Sequence, residues 1–388
     1  MKNEMQPSQG RYYFRGDRQI WIIVFLLMLL SVVEVYSTTA SLAYRIAGGD
    51  TSHYLLKQVG LLALGAVAMF FFQMIPMGKI AKLAKPVLLV MICLLVFTLF
   101  FGMEANSARR WTRLFGMTLQ PSDLVKIPLI LYVANFLAEK RKQLESFSFV
   151  FVNLFCIIGL VCFLILIANL STALLLGLTC FVMMMMGNVP KKHLFNTLFA
   201  AIVGFVAFLW AAPHLKFLPL RISTWGNRLW NFVSEGGDNF QAMHAKIAIA
   251  NGLLWGKGPG NSMQRLVLPE SYSDFIFASI VEEGGLLMAI AVMGLYIWLL
   301  YRIYVIMRAS RRPYHVYLCA GFGLLIVFQA FVHICISVGW GPVTGLSLPL
   351  VSMGGSSVLA TCVALGMIQS VARQQKRELY EGEEQDAA

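Results

Sequence analysis

The sequence predicts an all-α polytopic membrane protein, with about ten transmembrane helices and a large extracytoplasmic loop between helices seven and eight. Three observations carry this. Of 388 residues, 58% are hydrophobic and 13% charged, whereas soluble domains run at about 45–50% apolar and about 25% charged. Apolar runs of about 20 residues, the length that crosses a hydrocarbon core, recur from end to end. The net charge of +12 comes from short basic clusters between those runs, which is the mark of membrane orientation and not of a nucleic-acid surface.

Taken in order, residues 1–19 are a polar N-terminal tail with Lys2, Arg11, Arg15 and Arg18. No small-residue cleavage site follows the first apolar run, so it reads as a retained helix and not a signal peptide. The spans centre on residues 20–44, 54–76, 83–103, 123–138, 147–167, 170–188, 194–213, 274–301, 315–338 and 349–371. Residues 20–372 thus form one membrane domain, and 373–388 a tail that ends acidic. With the N-terminus inside, the cytoplasmic loops gather Lys79, Lys82 and Lys85; Lys140, Arg141 and Lys142; Lys191 and Lys192; Arg302, Arg308, Arg311 and Arg312. Most of the 31 basic residues then lie inside, and an even number of spans returns the C-terminus to the cytoplasm. The seven cysteines all fall in apolar runs without metal-ligand spacing, which reads as reduced, buried and structural. The six histidines are scattered, and no metal cluster emerges.

Two segments on the other side break the charge rule. In residues 106–126, Arg109, Arg110 and Arg113 surround Trp111, either as an interfacial anchor with snorkelling arginines or as a patch that receives an anion. Gln120 and Pro121 follow, and Asp123 and Lys126 are three apart, so that on a helix they partner one another. Residues 214–273 are too long for a simple connection. Trp225, Trp230, Phe232, Phe240 and Trp255 suggest amphipathic pieces lying on the membrane surface. Gly256, Gly258 and Gly260 form a GxGxG with no preceding strand, so a dinucleotide site is disfavoured. A flexible loop whose N–H groups and Lys257 approach a phosphate is the better chemical reading. Glu270 precedes Ser271-Tyr272-Ser273-Asp274, after which the chain turns apolar at Phe275. From that chemistry alone Asp274 is a helix cap first and a catalytic group second. Late in the chain, Gly341 to Pro349 and Leu350 to Ser357, with Gly354, Gly355 and Ser356, are rich in small residues that let helices approach closely.

These stretches carry a resemblance. AIANGLLWGKGPGNS, LPESYSDFIF and EEGG in residues 248–285, SARRW…QPSDLVK in 107–126, and GPVTGLSLPLVSMGGSS in 341–357 resemble the motifs of the SEDS family (shape, elongation, division and sporulation), and its division (FtsW) branch more than its elongation (RodA) branch. The departures are Ser107 for glycine, Asp123 for glutamate, Asn169 for aspartate in a Pro-Asp-Leu-Gly-Thr turn, Leu253 for a second glycine, His333 for asparagine and Met353 for tyrosine.

The resemblance implies a peptidoglycan glycosyltransferase that polymerises lipid II at the outer face of the bacterial cytoplasmic membrane during cell division. It implies Asp274 as the catalytic residue. It also offers Arg109, Arg110, Lys126, Lys257 and Glu270 as substrate-binding candidates, with a divalent cation, Mg or Mn, as a candidate helper. The implied partners are lipid II, a class B penicillin-binding transpeptidase and other division proteins. Two alternatives remain: a lipid II flippase, for which Glu34, Glu282 and Glu283 would be the ionisable groups, and a non-enzymatic division scaffold.

Overall fold

The structure, a computed structural model, describes residues 16–39, 52–105, 108–114, 117–211, 240–268 and 271–386. Its helices are α1 (Arg18–Thr38), α2 (Ser52–Met74), α3 (Met77–Phe101), α4 (Pro121–Glu139), α5 (Phe147–Ala168), α6 (Leu170–Met186), α7 (Lys191–Ala211), α8 (Phe240–Gly252), α9 (Ile276–Ala309), α10 (Pro313–Val338) and α11 (Gly355–Asp386). Among the described residues, eight of them are long and apolar enough to cross a membrane: α1 to α5 and α9 to α11. The apolar helix α6, at 17 residues, is shorter.

The bundle has a protein-facing centre and a lipid-facing rim. Helices α4, α10 and α11 are the most buried spans, and α2 and α3 the least. Phe70, Phe71, Leu89, Val90 and Phe101 stand exposed on α2 and α3, as side chains do where lipid replaces core. Helix α2 packs along α11 through small residues. A Cβ on Gly366 would meet the Met69 carbonyl at 2.5 Å, and one on Gly65 would meet Cys362 Sγ at 2.8 Å. Such contacts bring backbones together where no hydrophobic force drives helices to associate. The cysteines are all free, but the expectation that all are buried fails for Cys93 and Cys156, which are exposed. An apolar run marks contact with lipid as readily as contact with core.

The segment between α3 and α4 is not an irregular anchor. It folds as an antiparallel sheet of β1 (Met103–Ala105), β2 (Ala108–Leu114) and β3 (Met117–Leu119), in the order β1-β2-β3. Met103 pairs with Trp111 and Glu104 with Arg109, so Arg110 is the extra residue of a bulge. Arg109, Arg110 and Trp111 therefore sit on the central strand, and β3 follows it into α4.

Helix α8 is the α-helical piece of the long segment that the structure describes. Its buried residues Ala242, Ala245, Ala248 and Gly252 form one face, and that face packs on α9. At Gly252 a Cβ would lie 2.0 Å from the Val281 carbonyl, a closeness open only to glycine. The rest of the long segment, residues 212–239 and 269–270, lies outside the described residues, and Glu270 with it.

Candidate active site

Asp274 lies in the turn that leads into α9, half-buried. The cap expectation does not hold. The cap position of α9 is Phe275, with no side-chain cap hydrogen bond, so Asp274 stands one residue ahead of it. Ser273 Oγ donates to Asp274 Oδ1 at 3.3 Å.

The turn is fixed by the irregular segment between α10 and α11. The Met353 N–H donates to the Tyr272 carbonyl at 3.0 Å. Ser352 Oγ donates to the Ser273 carbonyl at 2.7 Å and accepts from the Leu348 N–H at 2.8 Å. The segment is in turn clamped by polar side chains of otherwise apolar helices. Tyr296 Oη on α9 donates to the Pro349 carbonyl at 2.5 Å, and Ser31 Oγ on α1 to the Val351 carbonyl at 2.7 Å. On α10, Gln329 Nε2 donates to the Ser347 carbonyl at 2.9 Å, and His333 Nδ1 to the Leu346 carbonyl at 2.7 Å. Backbone without regular structure at membrane depth is tolerated where such partners satisfy it. Three residues of the segment hold left-handed backbone, Gly339 at φ +90°, Gly345 at φ +70° and Leu350 at φ +66°. For leucine that conformation is strained, and strained residues concentrate at functional sites.

The second motif meets the third directly. Asp123 accepts from Lys126 Nζ at 2.8 Å and from Ser356 Oγ at 3.0 Å. Asp123 and Lys126 are both buried, at 9% and 4% exposure, so the pair expected three residues apart on a helix forms. It forms away from water, where each charge depends on the other. Both line a cavity of about 20 Å³ with Gln329, Ser357 and Thr361, room for about one water. Gln329 belongs to both places: it borders the Lys126 cavity and holds Ser347, two residues from Gly345. Gln120 Nε2 donates to Ser122 Oγ at 2.9 Å, and Pro121 takes the first helical position of α4.

The glycine loop is not an open phosphate cradle, because its donors are already engaged. Helix α9 is broken at Gly285, with φ +70° and ψ −172°, and the loop after α8 enters the gap. The N–H groups of Lys257 and Gly258 donate to the carbonyls of Glu282 and Glu283 at 3.0 and 2.9 Å. In an unbroken helix those carbonyls would receive Leu286 and Leu287. Here the N–H of Leu286 donates to the Leu253 carbonyl at 2.9 Å, and that of Leu287 to the Leu254 carbonyl at 3.5 Å. A Cβ on Gly256 would lie 2.1 Å from the Glu283 carbonyl, which is why glycine is needed there.

The two glutamates fasten the remainder of this loop. Glu282 accepts from Lys257 Nζ at 2.9 Å, Ser262 Oγ at 2.5 Å, and the N–H groups of Met263 and Gln264 at 3.3 and 3.2 Å. Glu283 accepts from Ser37 Oγ on α1 and from the Gly260 N–H at 3.0 Å. Lys257 is therefore an internal partner of a buried carboxylate, against the expectation of a free cation.

The side chains of Arg109 and Arg110 lie outside what the structure describes, as does Glu270. Among the described residues no three His, Cys, Asp or Glu side chains converge as metal ligands.

The family model for the FtsW, RodA and SpoVE cell cycle proteins matches residues 17–377. This chain belongs to the FtsW/RodA/SpoVE family. The match covers every motif above. Among curated members of the family, it is 34% identical to the probable peptidoglycan glycosyltransferase FtsW of Nitrosococcus halophilus, over 89% of each chain. It is 32% identical to that of Alcanivorax borkumensis, over 91% of this chain and 92% of the relative. Among solved structures it resembles a chain of a peptidoglycan synthase complex described as coordinating polymerization and crosslinking. That likeness has TM-score 0.72 and 26% identity, over 93% of this chain and 98% of the other. The rod shape determining protein RodA of Thermus thermophilus follows at TM-score 0.66 and 26% identity, over 93% and 97%. As an FtsW/RodA/SpoVE member the chain shows what its motif spacing conceals: Tyr272 and Ser273 of one stretch and Asp123 of another each bond to residues 352–356 of the third. The clamping residues Tyr296 and Ser31 were missed because a lone hydroxyl in an apolar helix carries no pattern.

Proposed function

We propose that this protein is a peptidoglycan glycosyltransferase of the division branch, polymerising lipid II at the outer face of the cytoplasmic membrane with Asp274 as general base. The observation that carries the assignment is the Asp274 carboxylate, half-buried on a turn held by a backbone and a hydroxyl hydrogen bond from the segment between α10 and α11. A base must be positioned before it is useful. In the step, the acceptor sugar hydroxyl gives its proton to Asp274 while its oxygen bonds to the donor's anomeric carbon. The bond from that carbon to the pyrophosphate breaks, and undecaprenyl pyrophosphate leaves with the electron pair.

Cationic stabilisation of the leaving group falls to Arg109 and Arg110 on β2, and to Lys126 if it exchanges Asp123 for phosphate. Lys257 is set aside, because Glu282 holds it. A magnesium or manganese ion, if used, arrives on the substrate's own phosphates. The flippase alternative loses two of its three ionisable candidates, since Glu282 and Glu283 are structural pegs of the loop.

A class B transpeptidase is the proposed partner, and both termini are proposed to be cytoplasmic. The test is polymerisation of lipid II by the purified full chain with that partner. Asp274→Asn should fold and bind the partner, yet lose about 10²–10⁴-fold in rate, while Glu270→Gln keeps measurable activity. Near wild-type turnover in Asp274→Asn would overturn the assignment.

A further inference from the structure

At the opposite end of the bundle a cavity of about 280 Å³ opens where α3 begins, α4 ends and α5 begins. It is many times the about 10–15 Å³ that one water needs. Because three spans start or stop there, it lies at one face of the membrane. Ala81 and Ala84 make the room, and Phe136 stacked on Phe149, ring centres 5.7 Å apart, forms an apolar wall.

Its polar lining divides into two groups. Asn153 belongs to a π-helical turn, Phe151–Phe155, a distortion often found at functional sites. Its carbonyl accepts from Tyr132 Oη at 2.5 Å and its amide donates to Phe149 at 2.9 Å. Those groups are satisfied and rigid. Lys85, Lys140, Asn135 and Glu139 also line the cavity, and among the described residues no hydrogen bond or ion pair engages their side chains. Two unpaired ammonium groups and a free amide around a roomy cavity are the donors of an anion site. With Glu139 present the net charge is one positive, which suits a singly charged phosphodiester better than a doubly charged phosphate. Leu83 and Val87 on α3 are exposed beside it, as is Phe151 on α5, and offer acyl chains an apolar path.

We propose that this cavity binds the phosphodiester headgroup of an anionic phospholipid from the adjoining leaflet. Basic pockets between helices at a membrane face recognise such headgroups by this chemistry. The occupant is a bulk lipid, at a place separated from Asp274 by the thickness of the bundle.

The test uses the full chain in phosphatidylcholine nanodiscs with rising phosphatidylglycerol, counting retained lipid by native mass spectrometry. The wild type should hold one phosphatidylglycerol that Lys85→Gln/Lys140→Gln binds at least about tenfold more weakly. Glu139→Gln should bind it severalfold more tightly, a gain that misfolding cannot imitate. Lys191→Gln/Lys192→Gln removes equal charge at the same end and should change nothing. An equal loss in that control pair, no preference over phosphatidylcholine, or displacement by inorganic phosphate would each overturn the proposal, the last by showing a soluble anion as occupant.

Discussion

The Asp274 carboxylate faces the bare Cα of Gly345: a Cβ there would stand 3.1 Å from Asp274 Oδ2. The glycine meets two demands at once, a left-handed φ of +70° and clear space beside an oxygen. Gly345→Ala should cost about 1–2 kcal/mol in backbone strain and crowd the carboxylate. We expect polymerisation to fall about tenfold or more, the equivalent of about 1.4 kcal/mol. Gly341→Ala is the control, since its nearest neighbour would be Ile336 Cγ1 at 3.8 Å. Equal activity in the two variants would show that the space beside Asp274 is immaterial.

The Asp123–Lys126 pair separates stability from chemistry. Removing one partner leaves a buried charge alone, and Asp123→Leu or Lys126→Met should each destabilise by about 3–5 kcal/mol. The double variant should recover most of the thermal stability in detergent. If Lys126 receives the leaving pyrophosphate, the recovered double variant will still be inactive. Full activity in it would confine the pair to a structural role.

The glutamate pegs predict a graded loss in the loop. Glu282 has no exposed surface and serves four donors. Glu282→Ala should therefore free residues 253–268 for limited proteolysis and lower turnover. Lys257→Met leaves three of the donors in place and should cost about 1–3 kcal/mol. A Lys257→Met protein with unchanged stability but a raised KM for lipid II would return Lys257 to the substrate.

Topology is tested by cysteine labelling from each side of the membrane in a background without native cysteines. Cysteine at Glu235 and at Arg311 should label from opposite faces. Labelling of both from one face would refute the orientation read from the basic clusters.

The spans were legible because hydropathy is a one-dimensional property, and a run such as residues 147–167 states its own case. The sheet after α3 was not legible. Its strands have three, seven and three residues, too short for alternation to show, and arginines dominate the central one. The convergence of Asp123 with Ser356 was not legible, since nothing local in QPSD points to a partner 233 residues away. Local chemistry alone ranked Asp274 as a cap before a catalytic group for a physical reason: a cap is a local motif, whereas its turn is set by Ser352 and Met353 from another part of the chain.

The break in α9 has a mechanical consequence. The first turns of that helix, immediately after Asp274, exchange two hydrogen bonds with the loop in place of the helix below Gly285. A spanning helix tilts as the bilayer thickens or thins, and a continuous rod would carry that tilt to its tip. Here the tip is held by the loop and, through Glu283 and Ser37, by α1, and the length below Gly285 is bonded to the same loop. The loop therefore splices the helix across its own break, so the placing of Asp274 answers to residues 253–258 as well as to the span beneath it.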